Sequence, residues 1–204
     1  MSNWHTLPRR LWGIVTPRGA LANLLGRDKY RELLAAATLQ ALRSGVGLPS
    51  GFTNDDLVAV YCYTYQNLRT LTYKSLNAVL WGEPRWAKKE LLELAAHLTV
   101  ALEKLPAHTG FCWRSTKFDV TAGLGHPVGA TVQYPAFTST SRLARNQPRQ
   151  GGSYIVVLSK SGRYSGGISR FPKEAEVLFL PGTVFNVLTN QVIGGIRQID
   201  LEEV

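Results

Sequence analysis

Cysteine and histidine are scarce in this chain of 204 residues, which has two cysteines and four histidines. Cys62 and Cys112 form no C-x-x-C pair and lie among apolar neighbours, which favours reduced, buried thiols over disulfide bonds. The histidines are scattered without the spacing of metal ligands. The sequence therefore predicts neither a disulfide framework nor a metal site.

Long hydrophobic runs are also missing. No apolar stretch is long enough to cross a bilayer, and the N-terminal segment MSNWHTLPRRLW has no hydrophobic signal core. With 45% hydrophobic and 18% charged residues, the composition is typical of a globular protein. We therefore expect a protein without a membrane partner, secreted or delivered without a conventional signal peptide.

Acidic residues are few, because 14 Asp and Glu stand against 23 Lys and Arg and leave a formal net charge of +9. The basic excess is concentrated in two segments. Residues 1–50 carry seven basic residues against two acidic ones, and the segment from Arg142 to Lys173 carries seven basic residues and no acidic one. Such clusters are either solvated rims or surfaces for phosphates or an acidic partner.

Glycine-rich phosphate-binding motifs are absent as well. The chain has no G-x-G-x-x-G or Walker-type loop, and Gly123-Leu124-Gly125 is followed by His126-Pro127, which cannot begin a phosphate-binding helix. This absence argues against a dinucleotide-binding or P-loop fold.

The first half of the chain has helical periodicity and helix-capping residues. Asp28 is a candidate N-cap, and Thr53-x-x-Asp56 resembles a capping box. We interpret Tyr61, Tyr65 and Tyr73 as helix core. Four helices are predicted, over residues 28–44, 53–65, 73–80 and 83–105.

From Gly110 onward the pattern changes from helix to strand. Seven short strands are predicted, over residues 111–114, 130–132, 136–140, 154–159, 176–180, 183–187 and 193–201. Helices followed by antiparallel strands indicate an α+β fold. We divide the chain into an N-terminal extension with one helix, residues 1–50, and a main domain, residues 51–204, with a helical part at 53–106 and a β core at 110–204.

The stretch FPKEAEVLFLPGTVFNV, Phe171–Val187, places two glutamates one residue apart beside an apolar strand. Since residues two apart in a strand point to the same face, Glu174 and Glu176 are predicted to project together. Pro181-Gly182 predicts a hairpin turn. Paired acids at the edge of a core cost desolvation and repulsion, which favours a functional pair, although a solvated strand end is the alternative.

Two further polar features interrupt the predicted strands. Arg114 ends the strand FCWR, and Ser139-Thr140-Ser141 follows Phe137 in FTSTS. Alone, each is typical of a surface charge or a turn. With the two glutamates they form a coherent set: a planar donor for phosphates, small hydroxyls for positioning and carboxylates for a sugar.

In this order the three features resemble the R-S-E signature of the mono-ADP-ribosyltransferases, in the E-x-E group typical of bacterial arginine-specific toxins and effectors. YTYQNLRTLTYKSLNAVLWG, residues 63–82, resembles the helical segment that precedes the catalytic core in the bacterial branch, and the resemblance covers residues 53–204. It implies an ADP-ribosyltransferase-like fold, with N-terminal helices packed on a core of two mainly antiparallel β-sheets. It also implies NAD as a substrate and no metal.

The resemblance assigns roles to the matching residues. Arg114 would hold the NAD phosphates through its guanidinium fork. Ser139 would orient the catalytic carboxylate, and Thr140 and Ser141 would complete that wall of the site. Glu176 would be the catalytic glutamate, which holds the ribose 2′-hydroxyl and stabilises the oxocarbenium-like transition state as nicotinamide leaves.

Ser115 and Phe137 complete the predicted NAD site. The family usually has glycine after the arginine, where the backbone contacts the nicotinamide amide. Serine keeps that backbone amide, so we expect NAD binding to remain. Trp113 is predicted to face the opposite side of the strand from Arg114, into the core.

The acceptor side is assigned in the same way. Glu174 would position the acceptor nucleophile and accept its proton. The segment Gly162–Lys173 would be the acceptor-recognition loop, with Tyr164, Arg170 and Phe171 as contact residues. The E-x-E pair favours arginine, because a guanidinium is hard to deprotonate and a second carboxylate can both orient it and accept its proton.

The resulting hypothesis is an enzyme that transfers ADP-ribose from NAD to an arginine of a target protein and releases nicotinamide. It would act as a toxin or effector in the cytoplasm of a target cell, and an immunity protein would be a further partner of an antibacterial toxin. Three alternatives stay open. In the first, the acceptor is RNA, as the basic segments suggest. In the second, it is water, as in an NAD glycohydrolase. In the third, the chain is a basic binding module without catalysis.

Overall fold

The computed structural model describes residues 19–65, 71–86, 88–144 and 151–204, so most of the predicted N-terminal extension before the first helix lies outside the described residues. The helices are α1 (Ala20–Leu25), α2 (Arg27–Ser44), α3 (Asn54–Thr64), α4 (Tyr73–Leu80), α5 (Lys89–Lys104) and the short α6 (Thr121–Leu124). The strands are β1 (Ala107–Thr116), β2 (Thr131–Tyr134), β3 (Thr138–Ser141), β4 (Ser153–Tyr164), β5 (Glu176–Phe179), β6 (Thr183–Ile193) and β7 (Ile196–Glu203). Helices followed by strands confirm the α+β prediction.

Side-chain caps mark the starts of helices α3 and α4. At α3, the Asp56 N–H donates to the Thr53 hydroxyl at 3.2 Å and the Thr53 N–H donates to the Asp56 carboxylate at 2.6 Å, which is the predicted capping box. The predicted start of the fourth helix at residue 83 was wrong. Residues Pro84–Trp86 form a 3₁₀ turn, and α5 begins only at Lys89, because the backbone of Lys88 is extended.

The helices α1 and α2 pack on the helices of the main domain. Leu21, Leu33 and Ala37 are fully buried in one hydrophobic cluster that also contains Leu91 and Leu102 of α5. The described part of the region before residue 50 holds two helices, not the one predicted, since α1 precedes α2. The division of the chain at residue 50 stays a prediction.

The seven strands form one hydrogen-bonded sheet in the order β1-β3-β5-β4-β7-β6-β2, with β1 also paired to β4. All pairs are antiparallel except β4 with β7. The two predicted sheets are joined here by the twelve-residue strand β4. Its residues 153–158 pair with both β1 and β7, and Arg163 and Tyr164 at its end pair with β5.

Strands β5 and β6 follow each other through Pro181-Gly182 but do not pair. β5 lies between β3 and β4, whereas β6 lies between β2 and β7. The predicted hairpin is therefore wrong, and the turn instead passes the chain from one part of the sheet to another. As a result, Glu176 begins a strand that has a neighbour on each side and four buried residues.

A second hydrophobic cluster, which includes Ile155, Val177 and Phe179, lies in the sheet. Cys112 belongs to it, and Cys62 belongs to the helical cluster. Both thiols are free and buried, as predicted, and burial raises the pKa of Cys112 to about 11 and that of Cys62 to about 12. Within the described ranges, no helix has the length and apolar character needed to span a bilayer.

Candidate active site

Glu176 is a buried carboxylate held by two serine hydroxyls. Glu176 is 4% exposed. The Ser139 hydroxyl donates to Oε1 at 2.6 Å, and the Ser165 hydroxyl donates to Oε2 at 3.1 Å. Burial raises the pKa of Glu176, while the two hydroxyls and the Arg114 charge act in the opposite direction. The carboxylate is thus fixed in one orientation in a partly desolvated site.

Glu174 does not lie on the strand, contrary to the prediction. It is the last residue of a 3₁₀ turn, Pro172–Glu174, and it is exposed. Ala175, between the two glutamates, has a φ of 46° in the left-handed region. The prediction that both carboxylates project from one strand face is wrong, because β5 begins only at Glu176.

The three hydroxyls of β3 make different contacts. β3 pairs with β5, so that Ser141 lies opposite Glu176. The Thr140 hydroxyl donates to the Val177 carbonyl at 2.9 Å, and the Ser141 hydroxyl donates to the Glu174 carbonyl at 2.7 Å. Of the three, Ser139 is the one whose hydroxyl donates to a carboxylate. The other two hydroxyls donate to backbone carbonyls of Val177 and Glu174, next to the E-x-E pair.

Arg114 lies on β1, and its Nη1 donates to the Ser139 carbonyl at 2.7 Å. It therefore contacts the same residue that holds Glu176. The neighbouring Trp113 is half-buried and lines a cleft beside Arg114, with its ring 6.4 Å from that of Phe111. The prediction that Trp113 faces the core is wrong, because Cys112 occupies the buried position of this part of β1.

Three adjoining clefts surround these residues. The first, of about 230 Å³, is lined by Tyr63, Thr64, Tyr73, Ser139, Phe171, Glu174 and Glu176. The second, of about 320 Å³, is lined by Trp113, Arg114, Ser115, Ser139, Thr140 and Glu174. The two glutamates thus line one cleft, although one lies in a 3₁₀ turn and the other in a strand. Tyr73, which was predicted to be helix core, lines the same cleft.

The third cleft, of about 340 Å³, shares Arg114 with the second and has mostly apolar and aromatic walls. Phe137 lies in its wall and packs edge-on against Tyr63 at 5.8 Å between ring centroids. Asn77 and His126 line this cleft. Their buried atoms Asn77 Oδ1 and His126 Nδ1 have no hydrogen-bond partner among the described residues. Sequence reasoning missed both residues, although Asn77 lies in the segment 63–82 that carried part of the resemblance.

The predicted acceptor loop contacts helix α3. The Arg170 N–H donates to the Thr64 hydroxyl at 3.0 Å, and the Arg170 guanidinium lies 5.2 Å from the ring of Tyr65 and 5.8 Å from that of Phe171. Phe171 lines the first cleft with Glu174. Tyr164 instead packs under the Arg142 guanidinium, 4.0 Å from its ring centroid.

Comparison with known proteins assigns this arrangement to a family. The family model described as NAD:arginine ADP-ribosyltransferase matches residues 27–204. The chain is 31% identical to the NAD(+)-protein-arginine ADP-ribosyltransferase Tre1 of Serratia proteamaculans, over 86% of this chain and 38% of that protein. It is 29% identical to the putative NAD(+)-arginine ADP-ribosyltransferase Mav of Mycobacterium avium, over 68% of this chain and 16% of that protein. The chain therefore spans less than half the length of these relatives.

Solved structures share the fold. The ADP-ribosyltransferase Vis of Vibrio splendidus, solved in complex with agmatine, aligns with a TM-score of 0.61 at 24% identity over 85% of each chain. The type III effector XopAI of Xanthomonas axonopodis pv. citri aligns with a TM-score of 0.77 at 19% identity, over 98% of this chain and 89% of that one. These similarities confirm the fold that the sequence predicted.

Proposed function

Since this chain belongs to the NAD:arginine ADP-ribosyltransferase family, we propose that it transfers ADP-ribose from NAD to an arginine side chain of a target protein. The observation that carries the proposal is the pairing of a buried, doubly hydrogen-bonded Glu176 with an exposed Glu174 at one cleft. In this proposal Glu176 acts on the sugar, and Glu174 meets the acceptor.

NAD would extend across the three clefts. In this arrangement the nicotinamide ribose lies at Glu176, the phosphates lie near Arg114, and the adenosine enters the third cleft. Arg114 supports this placement because it lines both the second and the third clefts. Ser115 and Phe137 would bound the same path.

The third cleft has a composition suited to a purine. Its walls are largely apolar, and the side chains of Asn77 and His126 in its lining would supply polar groups for the edge of a base. Burial lowers the pKa of His126, which favours the neutral ring at pH 7. The Tyr134 hydroxyl lies 2.6 Å from Nε2 of that ring and fixes its position.

Glu176 would stabilise charge rather than donate a proton. As the bond between ribose C1′ and the nicotinamide nitrogen breaks, both electrons go to that nitrogen and neutralise its charge. Positive charge then develops on the ribose. A carboxylate already oriented by Ser139 and Ser165 stabilises this charge without reorganisation.

Glu174 would act on the acceptor. A nitrogen of the arginine guanidinium forms the new bond to C1′ and loses a proton to Glu174. Because Glu174 is exposed at the cleft that Glu176 also lines, an arginine on a protein surface can reach it. Phe171, Arg170 and Tyr164 of the acceptor loop would contact the surrounding protein surface.

The test uses labelled NAD with a cell lysate and compares the unmutated protein with Glu176→Gln and Glu174→Gln. We expect the first variant to release no nicotinamide and the second to release nicotinamide without labelling protein. Label that is removed only by nuclease would replace arginine with RNA as the acceptor. Nicotinamide release without any labelled acceptor would indicate an NAD glycohydrolase, and no release would indicate a binding module.

We also propose that the protein acts as a toxin or effector in the cytoplasm of a target cell, as the sequence resemblance implies. Expression of the active protein in a cell should then stop growth, whereas expression of Glu176→Gln should not. Equal growth with both proteins would contradict this role. An immunity protein would be sought only if the sensitive cell is bacterial.

A further inference from the structure

We infer that Ser165 is a positioning residue for Glu176, an inference that rests on the function proposed for that carboxylate. Ser165 directly follows β4 and is 1% exposed. Its hydroxyl donates to Glu176 Oε2 at 3.1 Å, and its backbone N–H donates to the Glu176 carbonyl at 3.0 Å. Ser165 therefore holds both the side chain and the main chain of the same residue.

Ser165 and Ser139 hold the two carboxylate oxygens from opposite sides. β5 lies between β3 and β4 in the sheet. Ser139, on β3, holds Oε1, and Ser165, at the end of β4, holds Oε2. Rotation of the carboxylate would break both hydrogen bonds. Each oxygen still has a second lone pair that can accept from a ribose hydroxyl.

The hydroxyl of Ser165 can be removed without removing the loop contacts of its backbone. The Ser165 carbonyl accepts from the N–H groups of Ile168 and Ser169, both at 2.9 Å, and these bonds would persist in alanine. Loss of the hydroxyl leaves Oε2 of a buried carboxylate without that donor. A hydrogen bond to a charged group is worth more than a neutral one, so its loss should be measurable.

Ser169 provides a matched control in the same loop. It is also 1% exposed, but its hydroxyl accepts from the Phe171 N–H at 3.1 Å, and among the described residues it makes no hydrogen bond with Glu176. Ser169→Ala should therefore report the general cost of removing a buried loop hydroxyl. Any additional effect of Ser165→Ala is attributable to Glu176.

The experiment measures nicotinamide release from NAD by the unmutated protein, Ser165→Ala, Ser165→Cys and Ser169→Ala. We expect Ser165→Ala to lower kcat about tenfold with little change in KM for NAD. The acid limb of its pH profile should move to higher pH, because the lost hydroxyl had lowered the pKa of Glu176. Cysteine has a weak donor of similar size, so the kcat of Ser165→Cys should lie between the values of the unmutated protein and Ser165→Ala.

Three outcomes would overturn the inference: an unchanged kcat, an unchanged pH profile, or equal effects of Ser165→Ala and Ser169→Ala. The unmutated protein separates these results from a failure of the proposed function. If it releases no nicotinamide, the proposed function fails. If it releases nicotinamide and Ser165→Ala behaves like it, only the positioning role fails.

Different contacts carry a second inference, about the acceptor, which also rests on the proposed function. Arg142, Arg170 and Lys173 are exposed and belong to segments that contact or adjoin residues of the first cleft. The Arg142 N–H donates to the carbonyl of Ala175, between the two glutamates, at 3.1 Å. Arg170 directly precedes Phe171, and Lys173 directly precedes Glu174. The ion pairs within the described part of the chain include none of the three cations.

Aromatic rings hold two of these cations without neutralising them. Arg142 lies over Tyr164, and Arg170 lies near Tyr65 and Phe171. An acceptor arginine is itself a cation, so a positive rim repels it unless nearby carboxylates offset the repulsion. We propose that the arginine modified by this chain lies in an acidic protein surface.

Two synthetic peptides test this proposal. Both carry one arginine, flanked in one by Asp and Glu and in the other by Asn and Gln. We expect kcat/KM for the acidic peptide to be about tenfold higher at low salt, where exposed charges are least screened. The advantage should shrink with added NaCl and in the variant Arg142→Gln/Lys173→Gln.

Equal kcat/KM for the two peptides, or an advantage that neither salt nor the double variant reduces, would overturn the proposal. Preferential labelling of RNA in a mixture with the acidic peptide would also overturn it. Agmatine keeps the two proposals distinct. If the protein labels agmatine but shows no preference between the two peptides, arginine transfer still holds and only the proposal of an acidic surface fails.

Discussion

Glu174 and Glu176 are neighbours in the first cleft although one is exposed in a 3₁₀ turn and the other is buried in a strand. The residue between them, Ala175, has a φ of 46° and is itself buried. This single backbone turn separates the two carboxylates into different environments. It allows one of them to be desolvated while the other stays exposed at the surface.

The buried carboxylate should cost stability. Burial raises the pKa of Glu176 above its value in the unfolded chain. As pH rises from about 4.5, the unfolded chain loses this proton first, so the free energy of unfolding should fall until the folded-state pKa is passed. Glu176→Gln has no such proton. Urea unfolding between pH 4 and 7 should show the variant equal to the unmutated protein in acid and more stable at neutral pH, and a less stable variant at pH 7 would contradict this.

The left-handed backbone at Ala175 should govern the partition between acceptors. Ala175→Gly removes the steric cost of a positive φ but frees the backbone that places Glu174. We expect little change in thermal stability and in nicotinamide release, together with a larger share of ADP-ribose passed to water. The ratio of free ADP-ribose to ADP-ribosyl-agmatine measures this partition. An unchanged ratio would show that Glu174 is placed by other contacts.

Local sequence signals identified the start of α3 and the whole of α4, because these depend on short-range chemistry such as the Thr53 cap. The contact of Ser139 with Glu176 was expected from the family resemblance instead. Ser139 was correctly expected to contact the catalytic carboxylate, and the structure shows that hydrogen bond. The roles of these residues in catalysis remain proposals.

The remaining features depend on contacts between distant segments. The turn at Pro181-Gly182 looks like a hairpin locally, but strand pairing is decided by the whole sheet. Ser165 lies in a glycine-rich segment, where a serine is ordinarily a loop residue. His126 is one of four scattered histidines in the sequence, and only the fold places it in the third cleft.

Substitutions in the third cleft should weaken the binding of NAD and leave the binding of a substrate without adenosine unchanged. Asn77→Ala removes a polar side chain from the lining of this cleft, and it also removes the 3.3 Å contact of Asn77 Nδ2 with the Tyr63 hydroxyl. We expect a higher KM for NAD and an unchanged kcat/KM for nicotinamide mononucleotide. Equal losses for both substrates would place the effect of Asn77 at the nicotinamide end.

Close packing at Gly167 should fix the acceptor loop against the linker after α2. A Cβ atom added at Gly167 would lie 2.7 Å from Cβ of Val46, an atom attached directly to the backbone. Gly167→Ala should therefore lower the free energy of unfolding by about 1–3 kcal/mol.

Gly47→Ala is the control for this prediction, because a Cβ atom there would meet nothing within 4 Å. We expect it to change stability by less than about 0.5 kcal/mol. Both variants can be measured by urea denaturation. Equal effects would show that the loop moves away from Val46 without cost.

The burial of Leu33 and Ala37 of α2 against the other helices determines how short an independently folding fragment can be. A fragment that starts at residue 51 would keep every side chain of the first cleft, yet it would expose the apolar surface that α1 and α2 cover. Such a fragment should aggregate or bind hydrophobic dyes. The smallest autonomous unit therefore includes helices that contribute no residue to the first cleft.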